Sequence, residues 1–156
     1  MTRTDRPAGA LQEAHIPVQA KLAASWVSFM LLYVYVDILH FYLPGVVPDI
    51  LEGRVFEFDI SQTWAFIALA LMAIPISMIV LSTVLPARGN RRANLAIAPV
   101  YVLVSAFMAV GETWTYYFGF AIGLELLVLA AIIRWAWTWP RATRATVEHA
   151  RVRAHA

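Results

Sequence analysis

The chain has 156 residues, of which 61% are hydrophobic and 14% charged, with a formal net charge of +2 and no cysteine. A soluble domain carries about 25% charged and about 45–50% apolar residues, so the composition argues against one. The lack of cysteine excludes disulfide exchange, thiolate nucleophiles and Cys-ligated metals. The basic balance does not point to nucleic acid, because the basic residues flank apolar stretches and membrane topology accounts for them.

Residues Met1–Ala20 are polar, with Pro7, Gly9 and Pro17, and read as a loose cytoplasmic tail. A first apolar span is predicted at about Leu22–Leu43, stopped by Pro44-Gly45. It is too long for the h-region of a cleaved signal peptide, usually about 7–15 residues, and it contains Asp37 and His40. The next segment is acidic, with Asp49, Glu52, Glu57 and Asp59 against Arg54 alone, and Pro48–Gly53 is expected to form one helical turn. A second span is predicted over Ser61–Leu85, capped by Asp59 or Ser61 and ended by Pro86. Pro75 inside it frees a backbone carbonyl, which needs a partner from a neighbouring helix or from Ser77. Residues Ala87–Arg92 read as a short basic loop. A third span follows at Ala93–Gly111, a turn at Glu112–Tyr117, and a fourth span at Phe118–Trp139 halted by Pro140. Arg141–Ala156 is a basic cytoplasmic tail.

Runs of about 20 apolar residues match the ~30 Å hydrocarbon core of a bilayer. The predicted fold is therefore all-α: one domain over residues 21–140, a four-helix transmembrane bundle running up-down-up-down in the cell (inner) membrane. Arg3, Arg6 and Lys21, then Arg88, Arg91 and Arg92, then Arg134, Arg141, Arg144, Arg151 and Arg153 fall on one side of these spans, and only Arg54 on the other. Positive flanks stay inside, which makes both termini cytoplasmic. Trp135, Trp137 and Trp139 at one interface and Trp114, Tyr116 and Tyr117 at the other form aromatic belts.

Ionisable groups inside a membrane are costly and mark functional candidates. Asp37 lies about 9 Å below the outer surface and Glu125 about 10 Å, at 1.5 Å per helical residue. His40 and Glu112 lie above them. Trp26, Met30, Tyr33, Asp37 and His40 share one helical face, as do Tyr101, Ser105, Met108 and Glu112. One reading is a polar pocket open to the outside, with Asp37, His40, Glu112 and Glu125 reading a head group and Tyr33, Tyr101 and Trp114 lining the wall. The other is that Asp37, His40 and Glu112 bond one another and Tyr33 and simply fix helix register. Arg134, half a turn out of phase with Glu125, is expected to snorkel to the inner head groups.

Gly119-Phe120-Ala121-Ile122-Gly123 is a GxxxG, which allows close helix approach within the chain or across a homodimer. One His among carboxylates is a poor transition-metal site, and neither metal nor cofactor is expected. No phosphate loop, nucleophile elbow or HExxH occurs. The expected function is binding of an amphipathic ligand (a lipid, quinone or isoprenoid), with membrane lipids as partners. The alternatives are a proton-coupled transporter or channel subunit with Asp37 and Glu125 as relay, and a non-catalytic subunit of a membrane complex. An enzyme is the least supported reading.

Lys21-Leu22 with Trp26, Met30, Tyr33, Tyr35 and Asp37, followed by Pro44-Gly45, resembles the first span of a small uncharacterised bacterial family of four-helix integral membrane proteins. Met72-Ala73-Ile74-Pro75, Asn90-Arg91, Gly111-Glu112, Tyr116-Tyr117, Glu125, Trp135-Ala136-Trp137 and Trp139-Pro140 extend the resemblance over about Lys21–Pro140. It implies fold and location and carries no activity with it.

Overall fold

A computed structural model of the chain describes residues 16–55, 58–108, 110 and 113–140. Helix α1 spans Val18–His40, α2 Val46–Leu51, α3 Gln62–Val84, α4 Ala87–Met108 and α5 Thr115–Trp137. Three of them, α1, α3 and α5, are long and apolar enough to cross a membrane. Each has 23 residues, or about 35 Å at 1.5 Å per residue. The fourth long helix, α4, opens on Arg88, Arg91 and Arg92, which shortens its apolar run.

Segment 87–92 therefore differs from the expected loop. Pro86 stands just ahead of the helix, where a missing N–H costs nothing, and its carbonyl already accepts from Asn90 N at 2.9 Å. The connection between α3 and α4 shrinks to Leu85-Pro86. At the other end of α3, Ser61 is the cap, its Oγ accepting from Trp64 N at 3.1 Å.

The α1–α3 connection holds more structure than expected. Gly45 and Gly53 take φ of +93° and +84°, left-handed values that only glycine adopts without strain. They bracket α2. A short antiparallel ladder follows, β1 (Arg54–Val55) against β2 (Phe58–Asp59), with Arg54 opposite Asp59. Arg54 pairs with Glu52 at 2.8 Å and Asp49 at 3.4 Å. An all-α description omits this two-residue hairpin, too short to show as a periodic pattern.

Helix α5 packs along both α1 and α4; α1 also packs along α3, while α3 and α4 meet only narrowly. The buried stripes explain these pairings. On α4 they are Asn90, Asn94, Ala98, Tyr101 and Ser105; on α5 they are Phe118, Ala121, Glu125, Leu129, Ile132 and Ala136. Both repeat at three- and four-residue steps, one face of a helix. At the centre, Trp26, Phe29 and Tyr101 stack edge to face in a mutual triad with centroids 5.8–6.1 Å apart, the favoured aromatic arrangement.

Pro75 is buried in α3 and leaves the Leu71 carbonyl without its helical donor. The Tyr101 hydroxyl of α4 donates to that carbonyl. Ser77 instead donates to Ala73 O at 2.7 Å. Of the two partners expected from the sequence, the neighbouring helix supplies the bond.

Burial is uneven along the helices. In α1 the buried residues are Leu22, Ser25, Trp26 and Phe29, all in its first half; in α3 they are Pro75, Met78 and Ser82, all in its second half. These halves share one end of the molecule with the start of α4 and the close of α5. Asn90 Nδ2 donates to Ser82 O, and Arg91 Nε to Ala136 O at 3.1 Å. Toward the opposite end, residues 30–40 of α1 are half-buried or exposed.

Candidate functional site

The looser end holds a cavity of about 60 Å³ between α1, α4 and α5. Tyr33, Val36, Asp37 and His40 come from two successive turns of α1, and Met108 closes α4. Phe118, Ala121, Ile122 and Glu125 come from α5. The volume is enough for a few waters or one small polar head. Two contacts tie α5 to α1 beside it. Tyr117 hydroxyl donates to Val36 O at 2.6 Å, and the Phe118 ring meets His40 edge to face at 5.7 Å.

Glu125 and Asp37 sit differently. Glu125 is only 4% exposed, while Asp37 lies on the outer surface of α1. The cavity thus runs from a surface carboxylate inward to a buried one. The two are near enough to interact electrostatically, as are Asp37 and His40. Ser105 of α4 lies against Glu125, although its buried hydroxyl reaches no partner with hydrogen-bond geometry. No Lys or Arg pairs with either carboxylate among the described residues, where the ion pairs are those of Arg54. A carboxylate taken out of water needs donors or a counter-charge. The cavity is where these two can find them, from water, a proton or a ligand.

Of the site residues expected from the sequence, Tyr33, Asp37, His40 and Glu125 line this cavity. Glu112 lies outside the described residues. Tyr101 does not line it: its hydroxyl is committed to Leu71 O and its ring to the Trp26–Phe29 stack. Trp114 does not line it either; it precedes α5 and is 47% exposed. Among the described residues, no three His, Cys, Asp or Glu side chains converge as a metal ion would require. A Cβ placed on Gly119 or Gly123 would meet nothing within 4 Å, so neither serves packing among the described residues.

The more closely bonded polar cluster lies at the other end, among residues that the sequence reading leaves out of any site. Trp26 Nε1 donates to Asn94 Oδ1 at 2.7 Å, and Asn94 Nδ2 donates to Asn90 O and Oδ1 at 2.9 and 2.7 Å. With Asn90 donating to Ser82 O, this chain joins α1, α4 and α3, and Trp26, Asn90, Asn94 and Ser82 are fully buried. A signal for it exists. The Tyr101–Ser105 stripe, continued backwards at helical spacing, passes through Ala98 to Asn94 and Asn90. Placing Asn90 in a loop hides it.

Comparison with known proteins adds a family and no activity. No curated protein and no solved structure matches the chain. A family model covers residues 11–146, and on that match the chain belongs to DUF6326, a family of unknown function.

Proposed function

We propose that the protein spans the cell (inner) membrane as an up-down-up-down bundle of its four long helices and binds the polar head of an amphipathic ligand between Asp37 and Glu125. Orientation follows from charge. Lys21, the arginines opening α4 and Arg134 gather at one end, which the positive-inside rule makes cytoplasmic together with both termini. Asp49, Glu52 and Asp59 then lie outside.

The observation that carries the ligand reading is a pair of carboxylates with no Lys or Arg partner among the described residues, lining one small cavity whose mouth is an exposed residue of a membrane-length helix. Two acceptors select a head that donates. A hydroxyl or an amine fits the cavity of about 60 Å³, with its tail lying along the apolar outer face of α1. While both carboxyls are ionised they favour a donating head, such as a lipid or isoprenoid alcohol or amine, over the acceptor-only ring of an oxidised quinone. Native mass spectrometry from nanodiscs tests this. Wild type should retain one defined extra mass that Asp37→Asn loses, and a clean apo mass in wild type would overturn the reading.

The outward face of Gly119 and Gly123 supports a homodimer through α5, since nothing among the described residues uses their lack of side chains. Small residues allow close helix approach in membranes. Gly119→Leu with Gly123→Leu should convert a dimer to monomer in the same spectra; an unchanged oligomer would exclude this face.

A further inference from the structure

We infer that the basic end of α4 and α5 holds the phosphate of an anionic phospholipid, with Arg91 as its fixed ligand. The Arg91 guanidinium is already oriented. Its Nε donates to Ala136 O at 3.1 Å, and its Cζ lies 5.9 Å from the centre of the Trp137 ring. Both terminal nitrogens are then left without a partner among the described residues. That free edge of a planar fork matches two phosphate oxygens. Arg88, one turn earlier on the same helix, and neighbouring Arg92 are exposed. Arg134 lies one turn before Trp137 on α5 and is exposed as well.

Among the described residues this end carries no counter-charge. The described acidic residues are Asp37, Asp49, Glu52, Asp59 and Glu125, and the only arginine they pair with is Arg54, at the opposite end. Cations held beside a bilayer attract anionic lipid.

The surface beyond the arginines distinguishes a phospholipid from free phosphate. Trp137 is 68% exposed, and on the Arg134 face of α5, at seven-residue steps, so are Leu127 and Phe120, at 68% and 71%. From Trp137 to Leu127 the helix rises about 15 Å, close to one leaflet, half of a ~30 Å core. An acyl chain uses that strip; a free anion does not. The proposal shares with the ligand reading only that the helices cross a membrane.

The test is native mass spectrometry of the full-length protein from nanodiscs holding equal phosphatidylglycerol and phosphatidylcholine of identical chains. Wild type should retain phosphatidylglycerol about tenfold over phosphatidylcholine. Arg91→Gln should abolish that preference, while Asp37→Asn leaves it intact. Because Arg91 also bonds the end of α5, Arg88→Gln with Arg92→Gln is the control for folding, and should lower the preference a few-fold. Equal retention of both lipids by wild type would overturn the proposal, as would a preference unchanged in both variants. Full displacement of the lipid by millimolar inorganic phosphate would also overturn it, marking a free-anion site.

Discussion

The two ends of the helices handle buried polarity in opposite ways. At the basic end, Trp26, Asn94 and Asn90 are neutral, fully buried and hydrogen-bonded to one another and to the Ser82 backbone. At the acidic end, Asp37 and Glu125 are ionisable, have no Lys or Arg partner among the described residues, and flank a cavity. Neutral groups that satisfy one another can be sealed in a core and used to fix which helices meet. Carboxylates with no Lys or Arg to neutralise them stay next to space that something else can occupy. The difference separates a region closed by its own hydrogen bonds from one where ionisable groups border open space.

The sharpest way to break that distinction is to cut the neutral chain. Asn94→Ala strands the Trp26 indole N–H and the Asn90 side chain in the core. It should cost about 2 kcal/mol, as a buried polar group left unsatisfied costs about 1–3 kcal/mol, read from unfolding in detergent. A neutral effect would mean the basic end is no more fixed than the acidic one.

The proline latch comes next. Tyr101→Phe leaves Leu71 O unbonded and should destabilise by about 1 kcal/mol. In a Pro75→Ala background the backbone N–H restored at that position can reach Leu71 O, so the same substitution should then cost little. The coupling in that double-mutant cycle is the measurement. Additive costs would show that Tyr101 acts only through its ring.

At the acidic end the expected sign reverses. Glu125→Gln removes a buried charge without a cation and should leave stability unchanged or raise it by up to ~1 kcal/mol, in line with the insertion penalty of membrane carboxylates. Retention of the proposed ligand should fall with it. Clear destabilisation instead would make Glu125 part of the fold's own bonding, and the register-fixing reading of these residues would gain.

Much of this contrast is legible in the sequence. Pro44-Gly45, Pro86 and Pro140 bound the long helices closely, and helical phase puts Tyr33, Asp37 and His40 on one face of α1. Periodicity gives a face and a depth, not a neighbour. It does not say that α5 lies between α1 and α4, which is what brings Glu125 to Asp37. Tyr101 shares a stripe with Ser105, yet its hydroxyl serves a carbonyl that only the position of α3 exposes. Asn90 is missed for a different reason. Arginine next to proline looks like a loop, whereas Pro86 is tolerated at a helix start and arginine is a good helix former. The hairpin around Arg54 is too short for any periodic signal.

The smallest effect belongs to the feature that looks most like a designed contact. Arg54 makes two ion pairs, at 2.8 and 3.4 Å, and is the one arginine at the acidic end among the described residues. Its side chain is 54% exposed and its partners 57% and 67%. Exposed pairs are screened by water and salt and hold long side chains at an entropic cost. Arg54→Ala should therefore shift stability by less than ~0.5 kcal/mol, with the shift vanishing at high salt. A larger, salt-insensitive loss would show that the α2–hairpin connection braces the acidic end. The openness of the cavity would then depend on this connection and not only on the sparse packing of residues 30–40 of α1.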